Sequence, residues 1–365
     1  MGQTIISSIS PLTGLNAEVI IENDCSYFYL YHPNAIQDDT VSENSLSTFA
    51  ACWIKNHVKV DDLHSPHDDI KEGMQPKIPT KFCAYQEDLA PLNAENLEIV
   101  WGKEGSMAAL YEGDDLICLI PYWTNLDFNG YSKYSRISDV PLIPSPLIKH
   151  LSLKLFQKAA DAKIFWGQDF DVFWKNYRGA YLAELKGKYG KILKYYAIDK
   201  GKFPPKSIVT FEKDDIKYAF TLGIGMFPQP KIDLWVNDYE NYQLFEVAFS
   251  YRTDMNLNEQ KVLAQIASIV SLPWNFNTFL DHRLEIELQI NEQYQNAVIV
   301  SDKSVNIVQS EFLKENNINL FWLIPITSES FKKAAFGSSG DKVAPKISNA
   351  DVVFWKKKTN SEQNK

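Results

Sequence analysis

A chain of 365 residues exceeds the size at which a single hydrophobic core keeps growing, so two domains are expected. Its 45% hydrophobic and 13% aromatic content is that of a globular protein and excludes global disorder. The net charge of −9, with no dense basic stripe among the aromatics, argues against a nucleic-acid partner and suits a basic protein partner.

Cys25, Cys52, Cys83 and Cys118 lie far apart, without the paired spacing of a zinc or redox site, and read as buried thiols in a reducing cytosol. The opening stretch to Ile21 has neither a basic n-region nor a long apolar run, and Ile6 stands where a myristoylation signal needs Ser or Thr. No apolar run approaches bilayer length, so a cytoplasmic, non-membrane protein is expected.

From Thr40 to Asn96 the text is polar and proline-punctuated and predicts surface loops with short helices. Asp115 to Tyr122 reads as a buried strand after a turn at Glu112, Gly113 and Asp114, a hairpin. Ile148, Leu151, Leu155, Ala159 and Ala162 recur at helical spacing. A second helix runs roughly from Asp169 to Leu185, its Phe170, Phe173, Trp174 and Tyr177 reading as core. The Gly and paired Pro within Lys200 to Pro205 mark the expected domain joint, giving domains at residues 1–200 and 205–350 and a charged, disordered tail at 356–365.

Beyond the joint, Ile208 to Phe211 and Tyr218 to Leu222 predict strands, and Tyr242 to Tyr251 alternates with Phe245, Val247, Phe249 and Tyr251 on one face. Asn256, three residues before Glu259, marks a helix start, followed by the stripe Val262, Leu263, Ile266, Ile269 and Val270. Leu284 to Ile290 alternates as a half-exposed strand, and Asn319 to Ile326 reads as a fully buried one. The expected class is therefore α+β, two domains, each a mixed or antiparallel sheet flanked by helices.

No constellation carries chemistry in this reading, so neither catalytic residues, metal ligands nor a cofactor are assigned. Ser106 follows Gly105 but is trailed by Met107 and Ala108, which is not a nucleophile elbow. Gly223 and Gly225 lack the third glycine of a dinucleotide loop, and Pro228 and Pro230 stand where its helix would begin, so they read as permitting a bend or close strand approach. His64 and His67 among Asp61, Asp62, Asp68 and Asp69 have no metal-specific spacing, with Pro66 between them, and read as a solvated acidic loop.

Five segments in order, TLGIGM at Thr221 to Met226, FEVAFSYR at Phe245 to Arg252, KVLAQIASIV at Lys261 to Val270, FLDHRLEI at Phe279 to Ile286 and FWLIPITSES at Phe321 to Ser330, resemble the Suppressor of fused domain. The first half, through Trp101 to Trp123 and the pair Gly130 and Tyr131, resembles the leading part of bacterial members of that family. The resemblance implies a non-enzymatic module that binds another protein, for bacterial members an immunity protein that neutralises a toxin domain. Tyr122, Trp123, Tyr131 and Tyr134, clustered between strand and helix, are the candidate partner-binding anchors; the alternative is that they pack between the domains. An intracellular adaptor for another protein client, or an enzyme whose catalytic residues are distant in sequence, are the other readings. Neither the partner's identity nor the oligomeric state is legible.

Overall fold

The computed structural model describes residues 2–32, 50–85, 87, 89–124, 129–255, 257–301 and 318–327. The chain divides into two compact units, Met1–Gln168 and Asp169–Lys365. This division falls ahead of the expected joint at Lys200 to Pro205. The long helix after Asp169 packs on the second sheet and so belongs with it.

In the first unit, β1 (Gln3–Ile9), β2 (Asn16–Glu22), β3 (Cys25–Tyr31) and β4 (Ala50–Asn56) form an antiparallel four-stranded sheet. After the short helix α1 (Pro66–Lys71), a five-stranded sheet follows: β5 (Leu97–Trp101), β6 (Ala108–Glu112), β7 (Asp115–Ile120), β8 (Tyr131–Ser132) and β9 (Ser145–Pro146). The β6–β7 pair is the predicted hairpin, with Gly113 at positive φ in its turn. The segment from Thr40 to Asn96, expected as loops and short helices, also contains the buried strand β4. The helix α2 (Leu153–Trp166) ends the unit.

Three layers result. One apolar cluster joins Val19, Phe28, Leu30, Trp53 and Ile54 of the four-stranded sheet to Leu110, Ile117 and Ile120 of the five-stranded sheet. The other face of that second sheet, through Ala109, Leu116 and Leu119, packs on Leu155, Ala159 and Ala162 of α2. All four cysteines are free and buried, with Cys118 Sγ 3.3 Å from Cys52 Sγ between the two sheets.

In the second unit, α3 (Phe170–Tyr189) leads into β10 (Ile192–Ala197), β11 (Ser207–Lys213) and β12 (Ile216–Leu222). Asp169 caps α3, its carboxylate accepting from the amides of Asp171 and Val172. The short helix α4 (Ile232–Trp235) interrupts a long loop before β13 (Phe245–Arg252). Then come α5 (Glu259–Ile269), α6 (Leu272–Asn275), β14 (Glu285–Glu287), β15 (Tyr294–Val300) and β16 (Asn319–Thr327). They build one mixed seven-stranded sheet ordered β10-β11-β12-β13-β16-β15-β14, with β13 and β16 parallel and the other pairs antiparallel. The whole is α+β, its sheets flanked by helices, as the sequence leads one to expect.

The central strand β13 departs from the expected one-sided alternation, because all of Phe245 to Tyr251 is buried. Phe245 stacks on Phe321 and on Trp274 of α6, while the opposite face of the sheet lies under α3, where Tyr189 meets Phe211, Tyr218 and Phe220. Two covered faces need apolar or hydrogen-bonded residues at every position of the strand. The cap of α5 is Asn258, whose side chain accepts from the Lys261 amide at 3.1 Å; the expected cap, Asn256, lies outside the described residues, as does the tail at 356–365. Among the described residues no helix is long and apolar enough to cross a membrane.

Candidate partner-binding surface

One end of the seven-stranded sheet gathers most of the irregular chain of the second unit. β12 finishes there at Leu222, β11, β13, β14 and β16 begin there, and β15 ends there. The loops 198–206, 223–244 and 276–284 therefore share that end.

Two polar clamps fix these loops. The first is Glu246, wholly buried near the start of β13. Its Oε1 accepts from the Tyr177 hydroxyl at 2.6 Å and from the amides of Gly223 and Gly225 at 2.7 and 3.1 Å. Oε2 accepts from the Thr221 hydroxyl at 2.6 Å, while Thr221 Oγ1 accepts from the Val247 amide at 2.7 Å. The two glycines are thus amide donors as well as bend residues. Gly223 has φ +105°, and a Cβ there would collide with the carbonyl oxygen of Pro205.

Burial raises the Glu246 carboxyl above its ordinary range, and the donors Thr221, Tyr177, Gly225 and Gly223 offset that rise only in part. Burial, and then the charge of Glu246, push the Tyr177 phenol up, so the proton between them stays on the phenol.

The second clamp is Gln229. Its amide nitrogen donates to the carbonyls of Tyr242 and Leu280, each at 2.9 Å, and its side-chain oxygen accepts from the Leu280 amide at 2.7 Å. The loop 223–244 is thereby tied both to its own return and to the loop 276–284.

On this braced end stand large apolar side chains that the core does not take. Trp235 is 74% exposed and Phe276 55%, and Leu234 and Phe203 are exposed beside them in sequence or on the neighbouring loop. Phe203 is held at its base by ring contacts with Phe170 and Phe227 at 5.4 and 5.7 Å. The charge around them is divided. Asp233, Asp238 and Glu240 follow Lys231 on the Trp235 loop, and Asp281 on the next loop feels Asp238, whereas Lys200 and Lys202 precede Phe203.

The four predicted anchors lie in the first unit and are split by the pleat of its second sheet. Tyr122 is buried on the α2 side, where Lys158 Nζ reaches its hydroxyl at 3.0 Å and stands 4.3 Å over its ring. Trp123 makes an edge contact with Tyr122 at 4.8 Å, and Tyr131 on β8 joins the same cluster; both are half-buried. Tyr134 is buried in the other cluster, between the two sheets.

Sequence reasoning missed Trp235, Phe276 and Phe203. The available signal was tryptophan in a polar loop that two prolines open, KIDLWVNDYE after Pro228 and Pro230, where no core periodicity demands it.

The acidic loop around His64 is more ordered than expected. Pro66 opens α1, and Asp69 is buried, its Oδ2 accepting from His64 Nε2 at 2.7 Å and from the Lys77 amide at 2.8 Å. Burial opposes ionisation of Asp69, but the Lys77 amide and His64 outweigh it and hold the carboxyl below its ordinary range. A depressed carboxyl contributes stability that is present above its unfolded-state range and is lost as pH falls through its folded value. Asp69→Asn is therefore expected to lower the stability of the first unit by about 1–2 kcal/mol at pH 7 and by much less in acid, read from urea unfolding at both pH values. Among the described residues no three His, Cys, Asp or Glu side chains are grouped to hold a metal ion.

These features define an α+β protein with a braced, aromatic-bearing loop surface. No protein-family model, curated protein or solved structure matches the chain.

Proposed function

We propose that this chain is a non-enzymatic protein-binding module of the Suppressor of fused type, acting as an immunity protein whose second unit covers a basic toxin domain. The observation that carries this reading is the pair Trp235 and Phe276, exposed on loops that Gln229 clamps together at one end of the sheet. Exposed aromatics on a preformed surface supply binding energy without the entropic cost of ordering a loop. Two of the segments that carry the family resemblance, TLGIGM and FEVAFSYR, meet at Glu246 and set the geometry of that end. The acidic residues around Trp235 and the net charge of −9 favour encounter with a basic surface.

The test is capture of partners from native cytosol by the tagged full chain at low and moderate salt, followed by titration of the purified partner. Trp235→Ala is expected to weaken that complex by roughly thirtyfold or more, about 2 kcal/mol, with the melting temperature unchanged because the side chain stands in solvent. A salt-resistant toxin whose activity the protein blocks supports the reading. A housekeeping client lost on Trp235→Ala moves it to an adaptor. Binding that Trp235→Ala and Phe276→Ala leave intact overturns this surface.

A further inference from the structure

Two of the four buried thiols meet. Cys52 of β4 and Cys118 of β7 belong to different sheets and lie 66 residues apart in the chain, yet Cys118 Sγ stands 3.3 Å from Cys52 Sγ, and neither residue is exposed. The two sheets approach closely here. The buried Ser132 hydroxyl on β8 spans the gap to donate to the Ile54 carbonyl of β4 at 2.8 Å. Gly130, at φ +90°, lies so near β4 that a Cβ on it would sit 3.2 Å from Cys52 Sγ and 2.8 Å from the Leu119 carbonyl oxygen. Short side chains on both sheets thus bring two backbones within reach of one cross-link, and movement of about 1 Å would join the sulfurs.

The other two cysteines face main-chain carbonyls instead of sulfur. Cys25 Sγ lies 3.2 and 3.8 Å from the carbonyls of Glu22 and Pro76, and Cys83 Sγ 3.6 and 3.5 Å from those of Ile78 and Pro79. In the folded unit the meeting pair is inert. Burial, and then Cys118, push the Cys52 thiol well above its ordinary range, and a small oxidant cannot reach a side chain with no exposed surface. Reaction therefore passes through opening of the unit or through its folding.

We propose that Cys52 and Cys118 form a reversible disulfide that staples the two sheets of the first unit together when the chain folds or opens in the presence of a small-molecule disulfide such as oxidised glutathione. In the open chain one of the two cysteines, as a thiolate, attacks a glutathione sulfur, forming a protein–glutathione disulfide and releasing one glutathione thiolate. As the sheets come back together the second cysteine, also as a thiolate, attacks the protein sulfur of that bond and releases the other glutathione thiolate. Two protein thiols are oxidised and one small disulfide is reduced to two glutathiones, which take up the two protons. The closed loop restricts the unfolded chain, so the linked unit loses less entropy on folding and is the more stable form. The inference concerns the first unit alone and does not rest on the partner proposed for the second.

The test is refolding of the full chain from urea in mixtures of oxidised and reduced glutathione, followed by alkylation of remaining thiols in denaturant, peptide mapping without reductant, and thermal melting. A single linked pair, Cys52 with Cys118, is expected, with Cys25 and Cys83 recovered alkylated. The melting temperature of the first unit is expected to rise by about 5–10 °C and to fall back on reduction with dithiothreitol. Chain kept folded in the same mixture is expected to link about tenfold more slowly, or slower still. Cys118→Ala is expected to remove both the link and the shift, and Cys25→Ala to keep both; the parent melted with and without dithiothreitol reads the shift without relying on either variant to fold. Four free thiols at every glutathione ratio, a link through Cys25 or Cys83, glutathione adducts without the bond between Cys52 and Cys118, or a linked chain that melts no higher than the reduced one overturns the proposal.

Discussion

Glu246→Ala is expected to cost the second unit about 4 kcal/mol, enough to unfold it at urea concentrations the parent chain withstands. The carboxylate takes four donors, from Tyr177, Thr221, Gly223 and Gly225, and all four are buried around it. Alanine leaves two hydroxyls and two amides to be desolvated without partners, at roughly 1–3 kcal/mol for each group that cannot rearrange. Thr221 has a fallback in the Val247 carbonyl at 3.4 Å. Glu246→Gln behaves differently. Its carbonyl oxygen keeps the three bonds that Oε1 accepts, and its amide donates to Thr221 Oγ1, whose own proton turns to Val247. The shape is kept and the charge is removed.

The contrast has a pH dependence of determined sign. Burial raises the folded-state carboxyl above its unfolded value, so the folded chain holds the proton more tightly. The associated stability is fully present below the ordinary glutamate range and is lost as pH rises through the folded value. Glu246→Gln should therefore match or exceed the parent near neutral pH and lack this downward slope. Urea unfolding at pH 5 and pH 8 for the parent, Glu246→Gln and Tyr177→Phe decides it. A glutamine variant as damaged as alanine would show that the ionised carboxylate, and not merely an acceptor, is required.

How far the sequence discloses this is a matter of which signal each residue emits. The strands β11, β12, β13 and β16 are legible because two covered faces demand unbroken apolar runs such as Phe321 to Ile324. The N-terminal strands β1 and β2 are not, because half-exposed strands such as QTIISSI mix polar and apolar residues without clean alternation. Glu246 reads as an ordinary polar position of an alternating strand. Only its setting in a run buried on both faces, Phe245 to Tyr251, marks it as a charge that must be satisfied internally. Gly223 and Gly225 are correctly read as a bend, but their amide donors become meaningful only once β13 is placed beside β12. Nearness in sequence misleads at Tyr122 to Tyr134, where the chain passes from the α2 side of its sheet to the opposite side and sends Tyr122 and Tyr134 into different clusters.

Gly223→Ala is expected to destabilise the second unit by about 3 kcal/mol or more, and the reason separates bracing from binding. At φ +105° an L side chain is strained by about 1–3 kcal/mol before any contact is considered. The added Cβ would also meet the Pro205 carbonyl, which is main chain and cannot swing aside, and would lie 3.1 Å from the Trp174 ring. Relief requires the turn to move, and movement of the turn withdraws the Gly223 and Gly225 amides from Glu246. The same turn leads through Phe227 to Gln229 and the Trp235 loop, and Pro205 belongs to the loop that carries Phe203. Gly223→Ala should thus lower the melting temperature and the partner affinity together, whereas Trp235→Ala should lower affinity alone. Thermal melting and titration of both variants read the difference. An alanine at Gly223 that melts with the parent yet fails to bind would mean that the turn touches the partner directly, and one that melts early yet binds normally would detach the partner surface from this end of the sheet.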